Sequence, residues 1–250
     1  MRRLTAFAVP AFVAGIALSA AAACGTSSGS PSPGKQAAAD SARQAAIRAD
    51  SIEAARADSL SRYESLTDED FRLVAAELDV EVAAMKAVVA IEAGAAMKGF
   101  WAPGVPVVNF DPSMYRQHAS KAVSKAPDKS AKVPPGLKGY ALKEWTQLTN
   151  ARHKNAQGAD MGTFWGMFQI GGFNYKLCGC KTIEEFVERM SYSELSQLEL
   201  FARFIENTGM VKYLRNREWA KFSRAYNGPS YARRGYHTRM AAAYKKFSKN

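Results

Sequence analysis

The chain has 250 residues, of which 47% are hydrophobic, 11% aromatic and 23% charged, which excludes a fibrous or wholly disordered protein. The length and composition allow one globular domain with appendages, or two small domains. Lysine and arginine total 34 against 23 acidic residues, a net charge of +11, and residues 66–250 hold +9 of it. The basic folded part favours a polyanionic partner, for which nucleic acid, anionic lipid and anionic cell wall all have the right sign.

The first 23 residues have the pattern of an export signal. Arg2 and Arg3 precede an apolar run over residues 4–23, which ends in small residues before Cys24. This order of a charged start, an apolar stretch and a small-residue cleavage site is typical of secretory signals. Residues 18–24 resemble the processing site of bacterial lipoproteins, so we expect an exported protein lipidated at Cys24. Cleavage without lipidation and an uncleaved membrane anchor are the alternatives.

Residues 25–65 predict a connection between the anchor and the domain. Residues 25–34 contain only glycine, serine, threonine and proline, the composition of a flexible tether. Residues 35–65 are rich in alanine with balanced charge, and pairs such as Glu53 with Arg56 lie one helical turn apart. We therefore expect a solvated helical spacer; a frayed helix with no task fits the same pattern.

Capping signals predict a mostly α domain over residues 66–250. Residues 67–70 (TDED) form a capping box, flanked by the hydrophobic staple pair Leu66 and Phe71, so a helix is expected over 68–78. Asp79 is expected to cap a second helix, over 80–93, that ends near Gly94. Further helices are predicted over 138–153, 210–225 and 230–247. Two more are expected after the capping boxes that begin at Thr182 and at Ser191, and the helix after Ser191 is expected to end at Gly209. No long segment alternates with period two.

One carboxylate lies on an apolar helix face. Met85, Val88 and Val89 form a stripe in the second helix, and Glu92 falls on the same stripe in the last turn before Gly94. A buried, isolated carboxyl group responds by raising its pKa, which is what a general acid needs at neutral pH. A structural glutamate held by an arginine or a backbone donor fits the periodicity equally well.

Two later segments combine aromatic side chains with polar groups at turns. Residues 164–172 (FWGMFQIGG) place close-set glycines among aromatics, with Gln169 as a bidentate polar group. Residues 224–231 contain an Asn-Gly-Pro turn that leaves Tyr226 and Asn227 at a helix end. Aromatic faces with amide donors and acceptors are typical of sugar sites; a packed core turn and a plain helix–helix turn are the alternatives.

Four segments in chain order carry a family resemblance. They are AVVAIEAG (87–94), FDPSMY (110–115), WGMFQI (165–170) and AYNGP (225–229). This set resembles the N-acetylmuramidase family of bacteriophage endolysins and bacterial secreted proteins and, more distantly, the lysozyme-like lytic transglycosylases. These proteins share a helix-terminal catalytic glutamate, a Gly-x-x-Gln turn and an Ala-Tyr-Asn motif. The resemblance covers roughly residues 66–248.

The resemblance implies a single lysozyme-like helical domain that cleaves the β-1,4 bond after N-acetylmuramic acid. Glu92 would be the catalytic acid, and the glycan cleft would be lined by Phe168, Gln169, Tyr226 and Asn227. No cofactor is implied.

A second group must stabilise the oxocarbenium-like charge. It would be Asp111 with a water, although the family pattern has Phe-Glu where this chain has Phe110-Asp111, or it would be the substrate's own acetamido group. An intramolecular anhydro product would mark a lytic transglycosylase, and the resemblance favours hydrolysis.

Two other functions use the same substrate. A zinc amidase is disfavoured because the chain has only His118, His153 and His237, with no His-x-x-x-His pair and no Cys-x-x-Cys, so no metal is expected. A non-catalytic lipoprotein that grips peptidoglycan needs only basic charge and aromatics, and is the stronger alternative. For the favoured muramidase we expect a monomer whose partners are peptidoglycan strands and, through Cys24, the membrane, and not nucleic acid.

Two remaining features leave their roles open. Residues 119–138 are rich in lysine and proline and predict a basic surface loop, either solvated or in contact with anionic wall polymer. Cys178 and Cys180 would form a small strained disulfide under oxidising conditions, or stay as free thiols, or pair between chains.

Overall fold

The computed structural model describes residues 41–47, 49–50, 65–94 and 98–249. The chain divides into two units, one ending at Ser51 and the other beginning at Ile52. The described residues of the first unit are helical, in agreement with the charge pattern of the spacer. The predicted signal (1–23), Cys24 and the tether lie outside the described residues. Within the described ranges, no helix is long and apolar enough to cross a bilayer.

Helices dominate the second unit, as the capping signals predict. In chain order they are α1 (Asp68–Glu77), α2 (Val82–Glu92), α3 (Pro112–Ala119), α4 (Gly139–Arg152), α5 (Ala156–Met161), α6 (Ile183–Met190), α7 (Glu194–Asn207), α8 (Val211–Arg215), α9 (Trp219–Asn227) and α10 (Tyr236–Phe247). Short 3-10 helices cover Gly172–Asn174 and Pro229–Ala232. The capping box at Thr67 forms as predicted, with the Thr67 hydroxyl accepting from the Asp70 N–H and the Asp70 carboxylate accepting in return.

The domain also contains short strands that the sequence pattern does not predict. They are β1 (Phe100–Ala102), β2 (Val105–Pro106), β3 (Val108–Phe110), β4 (Thr163–Trp165) and β5 (Ile170–Gly171). The first two form an antiparallel pair, and the other three form an antiparallel sheet in the order β3-β4-β5, with Asn109 opposite Phe164. Each strand has two or three residues, so an alternation of period two has no room to develop.

Two predicted helix boundaries are wrong. In each case a residue other than glycine adopts the left-handed conformation and ends a helix. Asp79 (φ 52°) does not cap the second helix but closes α1: its N–H donates to the Ala76 carbonyl and that of Val80 to the Ala75 carbonyl. Arg217 (φ 55°) closes α8 in the same way, so the helix predicted over 210–225 is two helices. A third predicted helix, over 230–247, begins instead as a 3-10 turn.

The helix predicted after Ser191 starts two residues later than expected. Ser193 is its N-cap and accepts from the Ser196 N–H at 3.0 Å, whereas Ser191 ends the preceding helix. One face of α7 is apolar, with Leu198, Phe201 and Ile205 fully buried. Gly209 then closes α7.

The core gathers around α2. Ala84, Ala87 and the three residues of its predicted stripe are all fully buried. The most extensive helix contact of the described domain runs between α2 and α10, near the other end of the chain. The last turn of α2, which carries Glu92, is therefore held against the C-terminal helices.

Candidate active site

Glu92 is the last residue of α2. Gly94, with φ of 77°, ends the helix just beyond it, as predicted. Burial raises the pKa of Glu92 to about 7, although a hydrogen bond from Asn227 and the charge of Arg239 both act to lower it. The expected carboxyl on the apolar face is thus partly buried, and its main partner is an amide rather than an arginine.

Asn227 orients the Glu92 carboxyl group. It is the last residue of α9, and its Nδ2 donates to Glu92 Oε1 at 2.8 Å. Within the described residues, no hydrogen bond reaches Glu92 Oε2. One oxygen is therefore held while the other can carry a proton toward a substrate.

Tyr226 fixes α9 to the predicted glycine turn. Its hydroxyl donates to the Phe168 carbonyl at 2.8 Å, and its ring packs against the rings of Phe201, Phe204 and Phe222. Burial raises the pKa of Tyr226 well above its ordinary value, with the nearby Glu92 adding to the effect. The tyrosine thus places its neighbour Asn227, and its hydroxyl is already used inside the protein.

The glycine turn brings Gln169 to the surface in a strained backbone conformation. Gln169 has φ of 50°, a region that costs a residue with a side chain about 1 kcal/mol or more. Its Nε2 donates to the Gly166 carbonyl at 2.8 Å, so the side chain folds back onto its own turn. Strain of this kind gathers at functional sites, in keeping with the expected role of Gln169 in the cleft.

Phe168 does not fit its predicted place in the cleft. Its side chain is only 2% exposed and stacks on Phe201 with ring centroids 4.2 Å apart. The ring therefore belongs to the core, because it can gain more apolar burial there than at a wet surface. What Phe168 offers the site is its carbonyl, which receives the Tyr226 hydroxyl.

Gln197 supports the same turn and was not singled out from the sequence. It is fully buried in α7; its Oε1 accepts from the Met167 N–H at 2.8 Å, and its Nε2 donates to the carbonyls of Met190 at 2.8 Å and Gly99 at 3.2 Å. A Cβ on Gly166 would lie 2.7 Å from Gln197 Oε1, which explains the glycine there. The available signal was the same as for Glu92, namely a polar residue on an apolar helix face.

Glu194 and Glu144 brace the chain on either side of β1 and β2, and neither was predicted. Glu194 Oε1 accepts from the Gly99 N–H at 2.9 Å, and burial raises its pKa. Glu144, 3% exposed, accepts from the Phe110 N–H at 2.9 Å. Both carboxylates serve backbone donors and leave little capacity for chemistry.

Asp111 lies at the N-cap of α3. Its Oδ1 accepts from the Ser113 N–H at 2.7 Å, the Ser113 hydroxyl at 2.5 Å and the Met114 N–H at 3.0 Å. These hydrogen bonds lower the pKa of Asp111. The side chains that act on the pKa of Glu92 are Asn227 and Arg239, and Asp111 is not among them. The structure thus gives Asp111 a capping role, and its catalytic role stays a prediction.

The two cysteines near the site are free thiols rather than a disulfide. Both Cys178 and Cys180 are buried. Burial raises the pKa of Cys180 to about 11 and that of Cys178 further, so neither is a thiolate nucleophile at neutral pH.

A cavity of about 360 Å³ lies elsewhere, between the start of α9 and α10, with Trp219, His237 and Ala241 in its wall. Neither Glu92 nor Asn227 lines it. The candidate site is therefore the place where the end of α2, the end of α9 and the turn at 166–169 meet.

A mostly helical domain with a partly buried glutamate at a helix end, oriented by an amide, is an arrangement typical of lysozyme-like glycan-cleaving proteins. The family profile described as Muramidase, N-acetylmuramidase, matches residues 81–248. The chain therefore belongs to the N-acetylmuramidase family, and the predicted resemblance and helical fold are confirmed.

A solved structure agrees with this assignment. The chain is similar to the Burkholderia AP3 phage endolysin, whose crystal structure matches with a TM-score of 0.63 and 35% sequence identity, over 75% of this chain and 72% of that chain. No curated protein gives a match. Family and fold together support peptidoglycan hydrolysis as the class of activity.

Proposed function

We propose that the domain is a glycoside hydrolase of lysozyme type that cleaves the β-1,4 bond between N-acetylmuramic acid and N-acetylglucosamine. Glu92 acts as the general acid that protonates the leaving oxygen. The proposal rests above all on one observation, the partly buried Glu92 carboxyl with one oxygen fixed by Asn227 and a pKa raised to about 7.

The raised pKa sets how much acid is available. At pH 7 about half of the molecules carry the proton on Glu92, whereas a glutamate with the ordinary value of 4.5 would be protonated in only about 0.3% of them. General acid catalysis by a well-placed group contributes on the order of 10²–10⁴-fold to a rate. Activity is expected to fall as pH rises above about 7, because Glu92 then loses its proton.

The second half of the reaction has two routes. The acetamido group of the substrate can attack the anomeric carbon as the leaving oxygen takes the Glu92 proton, and water then opens the cyclic intermediate. Alternatively, Asp111 stabilises the positive charge while a water attacks. Either route adds one water to the product, whereas a lytic transglycosylase closes an anhydro ring and gives a product lighter by one water.

The decisive test is Glu92→Gln. Glutamine keeps an Oε1 acceptor for Asn227 but cannot donate an acidic proton, so we expect the variant to fold normally and to release reducing ends from purified sacculi at least about 10²-fold more slowly. Glu69→Gln is the control, since Glu69 is exposed and, within the described part of the chain, pairs with Arg72 alone. A folded Glu92→Gln variant with near-normal lysis would overturn the proposal.

A non-catalytic grip on peptidoglycan gives a different result with the wild-type chain. A binder sediments with sacculi but leaves their turbidity unchanged, while a muramidase clears the suspension. Mass spectrometry of the released fragments then distinguishes hydrolysed from anhydro ends.

We further propose that the chain is exported by residues 1–23 and anchored in the envelope membrane by a lipid on Cys24, with residues 25–65 as the spacer to a monomeric domain over 66–250. The sequence pattern supports this proposal. Cys24→Ala is expected to move the protein from the membrane fraction to the soluble fraction and to abolish labelling by a fatty acid. A Cys24→Ala protein that stays in the membrane would contradict lipidation.

A further inference from the structure

Acidic residues are missing from the last part of the sequence. After Glu218 the sequence contains no aspartate or glutamate but eight lysines and arginines, so this segment has a formal net charge of +8. The whole protein has a formal net charge of +11. This acid-free segment, residues 219–250, includes Asn227, the partner of Glu92. The segment with the highest density of positive charge in the chain therefore also supplies a side chain of the candidate site.

Four exposed arginines of this segment lie on α9, on α10 and on the connection between them. Arg224 precedes Asn227 by three residues on α9, so the two share a helix face. Arg239, on α10, lies near enough for its charge to lower the pKa of Glu92. Arg233 and Arg234 lie in the connection between a 3-10 helix (229–232) and α10, and that 3-10 helix packs against both α9 and α10.

These four arginines form no ion pair within the described residues. Arg233 donates to the Ser230 hydroxyl at 2.9 Å, and Arg239 lies over the Tyr236 ring at 6.0 Å. Other arginines of the domain do pair with carboxylates, among them Arg72, Arg152, Arg189, Arg203 and Arg217. Guanidinium groups that are exposed and unpaired beside a site are suited to bind a carboxylate in a bidentate manner.

We propose that the arginine surface, defined as Arg224, Arg233, Arg234 and Arg239, binds free carboxylates of the peptide stems that hang from the glycan strand cut at Glu92. The inference rests on the proposed function. The sugar rings themselves offer no ionised group, because the lactyl carboxyl of muramic acid is used in the amide bond to the stem. The stems place free carboxylates beside the muramic acid whose bond is cut. The arginine surface lies on α9, on α10 and on the connection between them, and α9 and α10 carry Asn227 and Arg239, which act on Glu92.

The arginine surface then sets specificity and not the rate of the chemical step. Exposed charge pairs are weak individually, and salt screens them over about 8 Å at physiological ionic strength. Neutralising three of the four arginines should therefore raise the KM for stem-bearing substrate roughly tenfold at low salt, with the difference shrinking as salt is added.

The test is the triple variant R224Q/R233Q/R234Q, with Arg239 kept because its charge acts on Glu92. KM and kcat are measured on intact sacculi, on glycan strands freed of stems by an amidase, and on sacculi freed of phosphodiester polymers by hydrofluoric acid. We expect a raised KM on the first and third substrates, wild-type KM on the stripped strands, and unchanged kcat throughout.

The matched control is K121Q/K125Q/K132Q, which removes the same charge from exposed positions of the 119–138 loop. An equal effect of this control would show that only net charge matters. A raised KM on stripped strands, or its disappearance after acid treatment, would overturn the proposal in favour of sugar or phosphate binding. If the wild type released no reducing ends, the proposed function would fail, and sedimentation with the three substrates would still test the arginine surface.

Discussion

Glu92 and Gln197 both interrupt apolar helix faces, but the structure satisfies them to different degrees. Gln197 is fully buried and makes three hydrogen bonds to backbone groups from three separate segments. Among the residues that the structure describes, Glu92 has one hydrogen bond, from Asn227, and burial raises its pKa to about 7. A saturated polar group serves as a brace, whereas a buried group with spare capacity stays available for proton transfer. The following predictions test this difference.

The largest expected effect is on stability, at the brace. Gln197→Ala leaves the Met167 N–H and two carbonyls without their partner, and each unsatisfied buried group costs about 1–3 kcal/mol. We expect a loss of about 3 kcal/mol or more in urea unfolding, with the alkaline limb of the pH–rate profile unmoved. Gln117→Ala, at an exposed helix position, is the control. A stable Gln197→Ala variant would show that Gln197 is no brace.

The ionised Glu92 side chain should lower the free energy of unfolding at high pH. Because its pKa is raised from 4.5 to about 7, the folded state binds the proton more tightly, and wild-type stability should fall between these pH values by at most about 3 kcal/mol. Glu92→Gln cannot ionise, so it should lack this decline and be more stable than wild type above pH 7. Parallel urea curves at pH 5 and pH 8 measure the difference. Identical pH dependence in the two proteins would place Glu92 in solvent.

Asn227 should matter for activity through orientation. Asn227→Ala removes the donor to Glu92, so we expect kcat to fall about tenfold and the alkaline limb to move to higher pH, because the lost hydrogen bond had lowered the pKa. Asn207→Ala is the matched control, since Asn207 also ends a helix and donates to a carbonyl, that of Leu177, at 2.8 Å. A limb that moves to lower pH would contradict the assigned hydrogen bond.

The smallest effect distinguishes the two routes for the second catalytic group. Asp111→Asn keeps the capping acceptor and should retain activity within about twofold, while Asp111→Ala should lose about 1 kcal/mol of stability. Asp128→Asn is the control, because Asp128 accepts from the Ser130 N–H, the Ser130 hydroxyl and the Ala131 N–H in the same arrangement. Abolished lysis in a stable Asp111→Asn variant would assign the charge-stabilising role to Asp111.

The helices were predictable where local chemistry decides them. Side-chain caps such as Thr67 and glycine terminators such as Gly94 act within one turn, so the sequence around them is sufficient. Asp79 and Arg217 were not predictable, because helix termination on a residue with a side chain is stabilised by distant contacts. The Arg215 guanidinium, for example, donates to the Leu78 and Asp79 carbonyls.

The site was predictable to the extent that it follows helix periodicity. Glu92 could be singled out because it lies on an apolar stripe, and Asn227 because it ends a helix. The structure brings the two side chains together. Phe168 and Gln197 could not be placed, since an aromatic ring and an amide each suit a core or a cleft. Their positions depend on packing between α7 and the turn at 166–169, segments brought together only by the tertiary fold.

The contact between α2 and α10 has a consequence for the timing of activity during synthesis. Glu92 is translated early, but the helices that keep water from it and the amide that holds it come from α9 and α10. Until these helices have formed, the burial that raises the pKa of Glu92 is incomplete. Under the proposed function, Glu92 therefore becomes a general acid only after α9 and α10 have packed against α2.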